Sequence, residues 1–220
     1  MTEKTILCFG DSNTHGTRAL KTLGDRERLP LAARWPSVMA RHLGDDWTII
    51  AEGLPGRTTV YEDPIEGAHM NGLAVLPALL ASHRPLDIVI IMLGTNDTKP
   101  RFAASAFDIS RGVERLAQLV QTSDAGPDAA PPALLIAAPV PLVEADVIKP
   151  VFEGSAAKSR ALAPLLEEIA KRLHCGFLDL GGVAQVDPVD GVHLDETAHH
   201  AIGTAMARAA ADLVSQEDRP

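Results

Sequence analysis

The sequence predicts a single three-layer α/β/α domain spanning residues 1–220, and three observations predict it. Short apolar runs alternate with amphipathic stretches, the pattern of right-handed βαβ units feeding a parallel sheet. One run, Asp87-Ile88-Val89-Ile90-Ile91-Met92-Leu93, is apolar on both faces, as a central parallel strand is. Finally, 220 residues bury one sizeable core without dividing, and no internal repeat, low-complexity tract or interdomain linker interrupts them.

The first apolar run, Thr5-Ile6-Leu7-Cys8-Phe9, stops abruptly at Gly10, and Asp11-Ser12-Asn13-Thr14-His15-Gly16 reads as a tight turn into a helix. Residues 17–31 are charged and aperiodic, a surface loop. Trp35, Val38, Met39, His42 and Leu43 then recur at helical spacing, with Gly44 as the stop. Residues 47–51 form the second strand. A loop with Gly53, Pro55 and Gly56 runs from there to about Gly72, since two glycines and a proline demand special backbone angles. Residues 73–82 read as a helix in which Pro77 implies a late start or a kink. The third strand, 87–93, ends in Gly94-Thr95-Asn96-Asp97. An amphipathic helix over 107–121 and a Gly/Pro/Asp-rich connection over 123–132 lead to the fourth strand, Ala133–Ala138. Residues 139–153 carry Leu142, Val143, Val147, Ile148, Val151 and Phe152, apolar enough for an oligomer contact or a lid over a site. A helix over 155–174, a fifth strand over 176–180 and a closing helix over 197–214 complete the chain.

Composition narrows the function. The 20 basic and 29 acidic side chains leave a net charge of −9, and no Lys/Arg cluster stands out, so neither nucleic acid nor an anionic membrane surface is an expected partner. No apolar stretch is long enough to span a bilayer, and the N-terminus lacks the features of a leader. Cys8 and Cys175 lie in strand-like apolar surroundings that suit buried free thiols. A soluble cytoplasmic protein is the expectation. Among the histidines, adjacent His199 and His200 point to different faces of a helix, and His42, His69, His83 and His174 have no ligand-spaced partners. No metal and no cofactor are expected, and Gly10-Asp11-Ser12 matches no nucleotide fingerprint.

Ser12, Gly56, Asn96 and the segment Asp187-Pro188-Val189-Asp190-Gly191-Val192-His193-Leu194-Asp195 all fall at strand ends or in the loops after them. In a parallel sheet these ends share one edge, where such folds bind ligands. Ser12 at a helix start is either a nucleophile or simply the helix N-cap. His193 has the chemistry of a general base for Ser12, and needs an acceptor on its other ring nitrogen. Asp190, three residues earlier, reaches it in one local turn; Asp187 and Asp195 are rivals, Asp195 being also suited to cap the last helix. The backbone N–H groups of Ser12 and Gly56 and the side-chain amide of Asn96 are candidate oxyanion donors. The alternatives are an ordinary turn glycine and an Asx-turn.

As a set, Gly10-Asp11-Ser12, the block around Gly56, Gly94-Thr95-Asn96-Asp97 and Asp190-Gly191-Val192-His193 resemble the four blocks of the SGNH (GDSL-type) esterase superfamily. The resemblance spans nearly the whole chain in the right order. It implies a flavodoxin-like sheet of order 2-1-3-4-5, Ser12 as nucleophile, Gly56 and Asn96 as oxyanion donors, and Asp190 with His193 completing a triad. Glu52-Gly53-Leu54, Arg57-Thr58-Thr59 and Ile90 through Lys99 look more narrowly like the bacterial arylesterase/acyltransferase subgroup. That likeness implies short acyl esters as substrates, acyl transfer to alcohols or peroxide as well as water, and a homo-oligomer with a narrowed site. Asp11, His15, Leu54 and Thr95 are then pocket candidates. His15 stands where the subgroup would have a large aromatic or apolar residue, which implies a wetter acyl pocket and a balance shifted towards hydrolysis. The rival readings are a thioesterase, lysophospholipase or carbohydrate acetyl esterase of the same superfamily, or a binding module without catalysis.

Overall fold

The computed structural model describes residues 3–217. Its centre is a five-stranded, all-parallel sheet of order β2-β1-β3-β4-β5, built from β1 (Lys4–Gly10), β2 (Trp47–Gly53), β3 (Ile88–Met92), β4 (Ala133–Ala138) and β5 (Gly176–Asp179). The fold is the one the alternating pattern and the family resemblance predict. All five residues of β3 are buried, each worth about 1.5–3 kcal/mol relative to exposure.

Strand side chains alternate between two apolar layers. Leu7, Phe9, Val89 and Ile91 face one side, covered by α3 (Gly72–His83), α4 (Ala106–Gln121) and α7 (Leu162–Leu173). Ile6, Cys8, Ile88 and Ile90 face the other, covered by α2 (Trp35–Leu43) and α8 (Glu196–Glu217). Trp35, fully buried, begins α2, and its backbone N–H donates to His199 Nδ1 of α8 at 3.1 Å. Burial pushes the His199 imidazole down to about 4.

Several element boundaries differ from expectation. The helix expected over 155–174 is two helices, α6 (Ser155–Arg160) and α7. Pro164 explains the break, because it has no N–H to offer the Arg160 carbonyl and its ring crowds that carbonyl in a continuous helix. In α3 the start is Gly72, capped by Asn71 Oδ1 from Leu73 N–H at 3.0 Å, so Pro77 does not delay the helix. β2 extends two residues beyond expectation, to Gly53. The closing helix starts at Glu196, with Asp195 Oδ1 accepting from Ala198 N–H at 2.7 Å, the capping role expected of Asp195. Both cysteines are unpaired; Cys8 is buried, whereas Cys175 is only partly so, a lesser burial than its surroundings imply. Among the described residues no helix is long and apolar enough to cross a membrane.

Candidate active site

The carboxyl end of β1 passes directly into a one-turn helix, α1 (Ser12–His15). A side chain at Gly10 would put its Cβ 2.0 Å from Thr14 Oγ1, so glycine is what lets this turn fold back against the strand. The cap is Asp11, whose Oδ1 accepts from Asn13 N–H at 3.0 Å. Ser12 is therefore not the N-cap: it occupies the first helical position, where its own N–H has no intrahelical acceptor. The capping alternative for Ser12 falls away. Asn13 Nδ2 donates to Val192 O at 3.1 Å and so ties the serine turn to the histidine loop.

That loop is closed on itself by Asp187 N–H to His193 O at 2.7 Å and Gly191 N–H to Asp187 O at 2.8 Å. Asp190 is fully buried and takes four donors: Val192 N–H and His193 N–H at 2.9 Å on Oδ1, Leu20 N–H at 2.7 Å and His193 Nδ1 at 2.5 Å on Oδ2. Burial alone would raise its carboxyl, but the His193 contact and the backbone donors outweigh burial and hold it below the ordinary aspartate range. An ionised Asp190 only accepts, so His193 Nδ1 carries the proton and Nε2 presents a lone pair. The rivals do other work, Asp187 Oδ1 accepting from Val189 N–H at 2.9 Å and Asp195 capping α8.

Ser12, His193, Gly56 and Asn96 line one cavity of about 400 Å³ at the carboxyl edge of the sheet. No Ser12–His193 hydrogen bond forms in this structure; such contacts commonly tighten only around substrate. Gly56 has φ +89°, a left-handed angle that favours glycine, and among the described residues its N–H makes no hydrogen bond. Asn96 Nδ2 donates to Arg57 O at 3.1 Å, leaving its second N–H for a ligand.

Arg57 enters the sequence reading only within the block Arg57-Thr58-Thr59, with no role of its own. Its guanidinium lies 4.3 Å over the Phe9 ring, and its Nη1 donates to Gly10 O at 2.9 Å and also to Glu52 O. It thereby fixes the loop bearing Gly56 to the ends of β1 and β2, while its own carbonyl orients Asn96. Next to it, Asp97 is buried with Oδ1 accepting from Thr59 N–H at 2.9 Å and Oδ2 without a partner. Burial pushes the Asp97 carboxyl up to about 6, and Asp11 likewise to about 6.

Among the pocket candidates, His15 lines the cavity. Burial and then the charges of Arg28 and Arg34 lower its pKa, keeping the imidazole neutral at pH 7. Asp11, Leu54 and Thr95 are not on the wall. Asp11 and Thr95 are buried beneath the floor of the site, Asp11 because its carboxylate turns back to cap α1. Leu54 has its backbone N–H on Gly10 O at 3.2 Å, and the wall at this point is formed by Pro55 and Gly56. The remaining wall comes from loops: Leu20, Leu23 and Arg26 from 17–31, Glu66 and Lys99, and Ile148, Val151 and Phe152 from 139–153. The last segment includes α5 (Lys149–Phe152) and packs Leu142, Ile148 and Phe152 with Val192 in a small core of its own.

Residues 8–201 match the model of the GDSL-like lipase/acylhydrolase family, and the chain belongs to that family. It is a serine hydrolase acting on carboxylic esters. Est24, a carbohydrate acetylesterase from Sinorhizobium meliloti, superposes with a TM-score of 0.91 at 39% identity, covering 96% of this chain and 99% of that one. The aryl esterase of M. smegmatis gives the same values. A carbohydrate acetylesterase family member from Sinorhizobium meliloti is 42% identical with a TM-score of 0.89, again over 96% and 99% of the two chains. No protein of curated function matches the sequence.

Proposed function

We propose that the enzyme cleaves small acyl esters, acetates and aryl esters among them, through an acyl-enzyme on Ser12. The observation that carries this reading is the 2.5 Å Asp190–His193 contact, which turns a basic Nε2 towards the cavity that Ser12 also lines. His193 Nε2 takes the Ser12 Oγ proton as Oγ bonds to the ester carbonyl carbon. The carbonyl electron pair moves onto oxygen, which the Ser12 and Gly56 N–H groups and the free Asn96 N–H receive. Collapse breaks the bond to the alcohol oxygen, which leaves with the proton from His193. Water then repeats the sequence in reverse and frees the acid; an alcohol or peroxide in its place would carry the acyl group away.

A 400 Å³ cavity shared by both halves of the ester, walled by Ile148, Val151 and Phe152, supports a small acyl group. Neutral His15 gives that wall a hydrogen-bonding face for water and supports a preference for hydrolysis. With Ile148, Val151 and Phe152 on the cavity, the 139–153 segment serves as a lid, and exposed Val143, Val189, Ile65 and Leu23 in the edge loops supply apolar surface for a homo-oligomer. The two unpaired thiols support a cytoplasmic setting. Hydrolysis of p-nitrophenyl esters from acetate to octanoate, with Ser12→Ala beside the native enzyme, tests the reading. Fast turnover confined to short esters and abolished in the variant supports it; equal rates for both proteins overturn it. A monomer in sedimentation would overturn the oligomer.

A further inference from the structure

One wall of the cavity has a chemistry that the ester cleavage above does not use. Lys99 is 3% exposed, lines the cavity, and follows Asn96 by a single 3-10 turn, its N–H on Asn96 O at 3.2 Å. Its Nζ meets Glu66 Oε1 at 3.1 Å and lies 5.6 Å from the centre of the Phe152 ring. Three ammonium donors thus have one protein acceptor among the described residues. The other carboxylate oxygen, Glu66 Oε2, lies beside the oxyanion turn: a Cβ on Gly56 would come within 2.4 Å of it. Glu66 is itself held from behind. Its N–H donates to Asp63 Oδ1 at 3.0 Å, Asp63 is bonded to Arg101 at 3.0 Å, and Arg101 stands 3.6 Å from Glu66 Oε1.

We infer that the Glu66–Lys99 pair is a subsite for a hydroxyl group on the alcohol half of the substrate, so that esters of polyhydroxylated alcohols are preferred over alkyl esters of the same size. This rests on the acyl-enzyme reading above. A hydroxyl both donates and accepts, and this wall offers spare Lys99 donors beside a spare Glu66 acceptor. The pair is neutral as a unit, so it favours neither an anionic nor a cationic group. A small acyl group such as acetyl has no further polar atom to place there, which leaves the alcohol half. An alkyl or aryl group against the same wall strips water from the ion pair and returns no hydrogen bond, and a site built for a hydroxyl discriminates against the analogue that lacks it.

The test is the ratio of kcat/KM for glycerol 1-acetate to that for n-propyl acetate, two esters of one chain length that differ in two hydroxyls. It is measured for the native enzyme, Glu66→Gln, Lys99→Met and the double variant, which keeps the test open if Lys99→Met alone, with Glu66 deprived of its ammonium partner, does not fold. The native ratio is expected to be about 10 or more, and to fall to within about threefold of one in Lys99→Met or the double variant, with Glu66→Gln between. A native ratio near one overturns the subsite, as does a ratio that the variants leave unchanged while both rates fall together. Failure of the acyl-enzyme reading is a separate result: native turnover of p-nitrophenyl acetate that survives Ser12→Ala.

Discussion

Three aspartates are buried at the same edge of the sheet, yet they are held in opposite states. Asp190, in the histidine loop, receives four hydrogen bonds and is kept below the ordinary carboxylate range. Asp11 and Asp97, behind the oxyanion turn, are pushed up to about 6 by burial that their fewer donors do not offset, and Asp97 Oδ2 is left with none. All three are shut off from solvent, but Asp11 and Asp97 are the more deeply enclosed, and Asp190 receives more donors, His193 foremost among them. One region is built to keep a charge and use it; the other tolerates a charge in order to hold a loop.

The sharpest way to break this contrast is Asp190→Asn. It leaves the loop's shape but offers His193 an amide, which reverses the ring tautomer, and kcat is expected to fall about 10³–10⁴-fold with the circular dichroism spectrum unchanged. A loss under tenfold would mean that Asp190 does not orient the base. Next in size, Asn96→Ala removes one oxyanion donor and is expected to lower kcat about 10²–10³-fold with little change in KM. Arg57→Met should come third, about tenfold in kcat together with roughly 1–3 kcal/mol of stability in urea titrations, because it frees the loop and removes the guanidinium donor shared by Gly10 O and Glu52 O. Activity equal to native would remove Arg57 from the site's support.

The smallest effect on turnover belongs to Asp97→Asn, whose amide oxygen still accepts from Thr59; its signature lies in pH instead. The folded Asp97 pKa, about 6, is above the unfolded value, so the native state binds the extra proton between about pH 4 and 6. The native protein's contribution from Asp97 is therefore lost as pH rises through that window. Asp190 has the opposite sign: its contribution is present above the unfolded value and is lost only as pH falls below the aspartate range. The stability of Asp97→Asn relative to native should accordingly improve from pH 4 to pH 7 in urea titrations. A flat difference would show that Asp97 is ionised throughout.

Much of the candidate site was legible because it is local. Asp190 and His193 sit three residues apart, and Ser12 and Asn96 follow apolar runs whose ends a parallel sheet aligns. The helix break was not read: Pro164 carries the signal, but helical spacing on either side of it concealed it. The walls were legible only in part. Leu20 and Glu66 come from aperiodic loops whose spacing does not say which way they turn, whereas Ile148 belongs to a segment apolar enough for either a lid or an oligomer contact. Asp11, Leu54 and Thr95 neighbour the site residues in sequence but do not line the cavity, and adjacency alone says nothing of which way a side chain turns.

One of those loop residues ties together two things usually considered separately. Leu20 lines the mouth of the cavity, and its backbone N–H is one of the four donors on Asp190. In the proposed mechanism, a substrate that pushed residues 17–31 outwards would draw that donor off the carboxylate that steadies His193. Size exclusion would then be exerted through the chemistry as well as through space, the doorway and the base sharing one hydrogen bond.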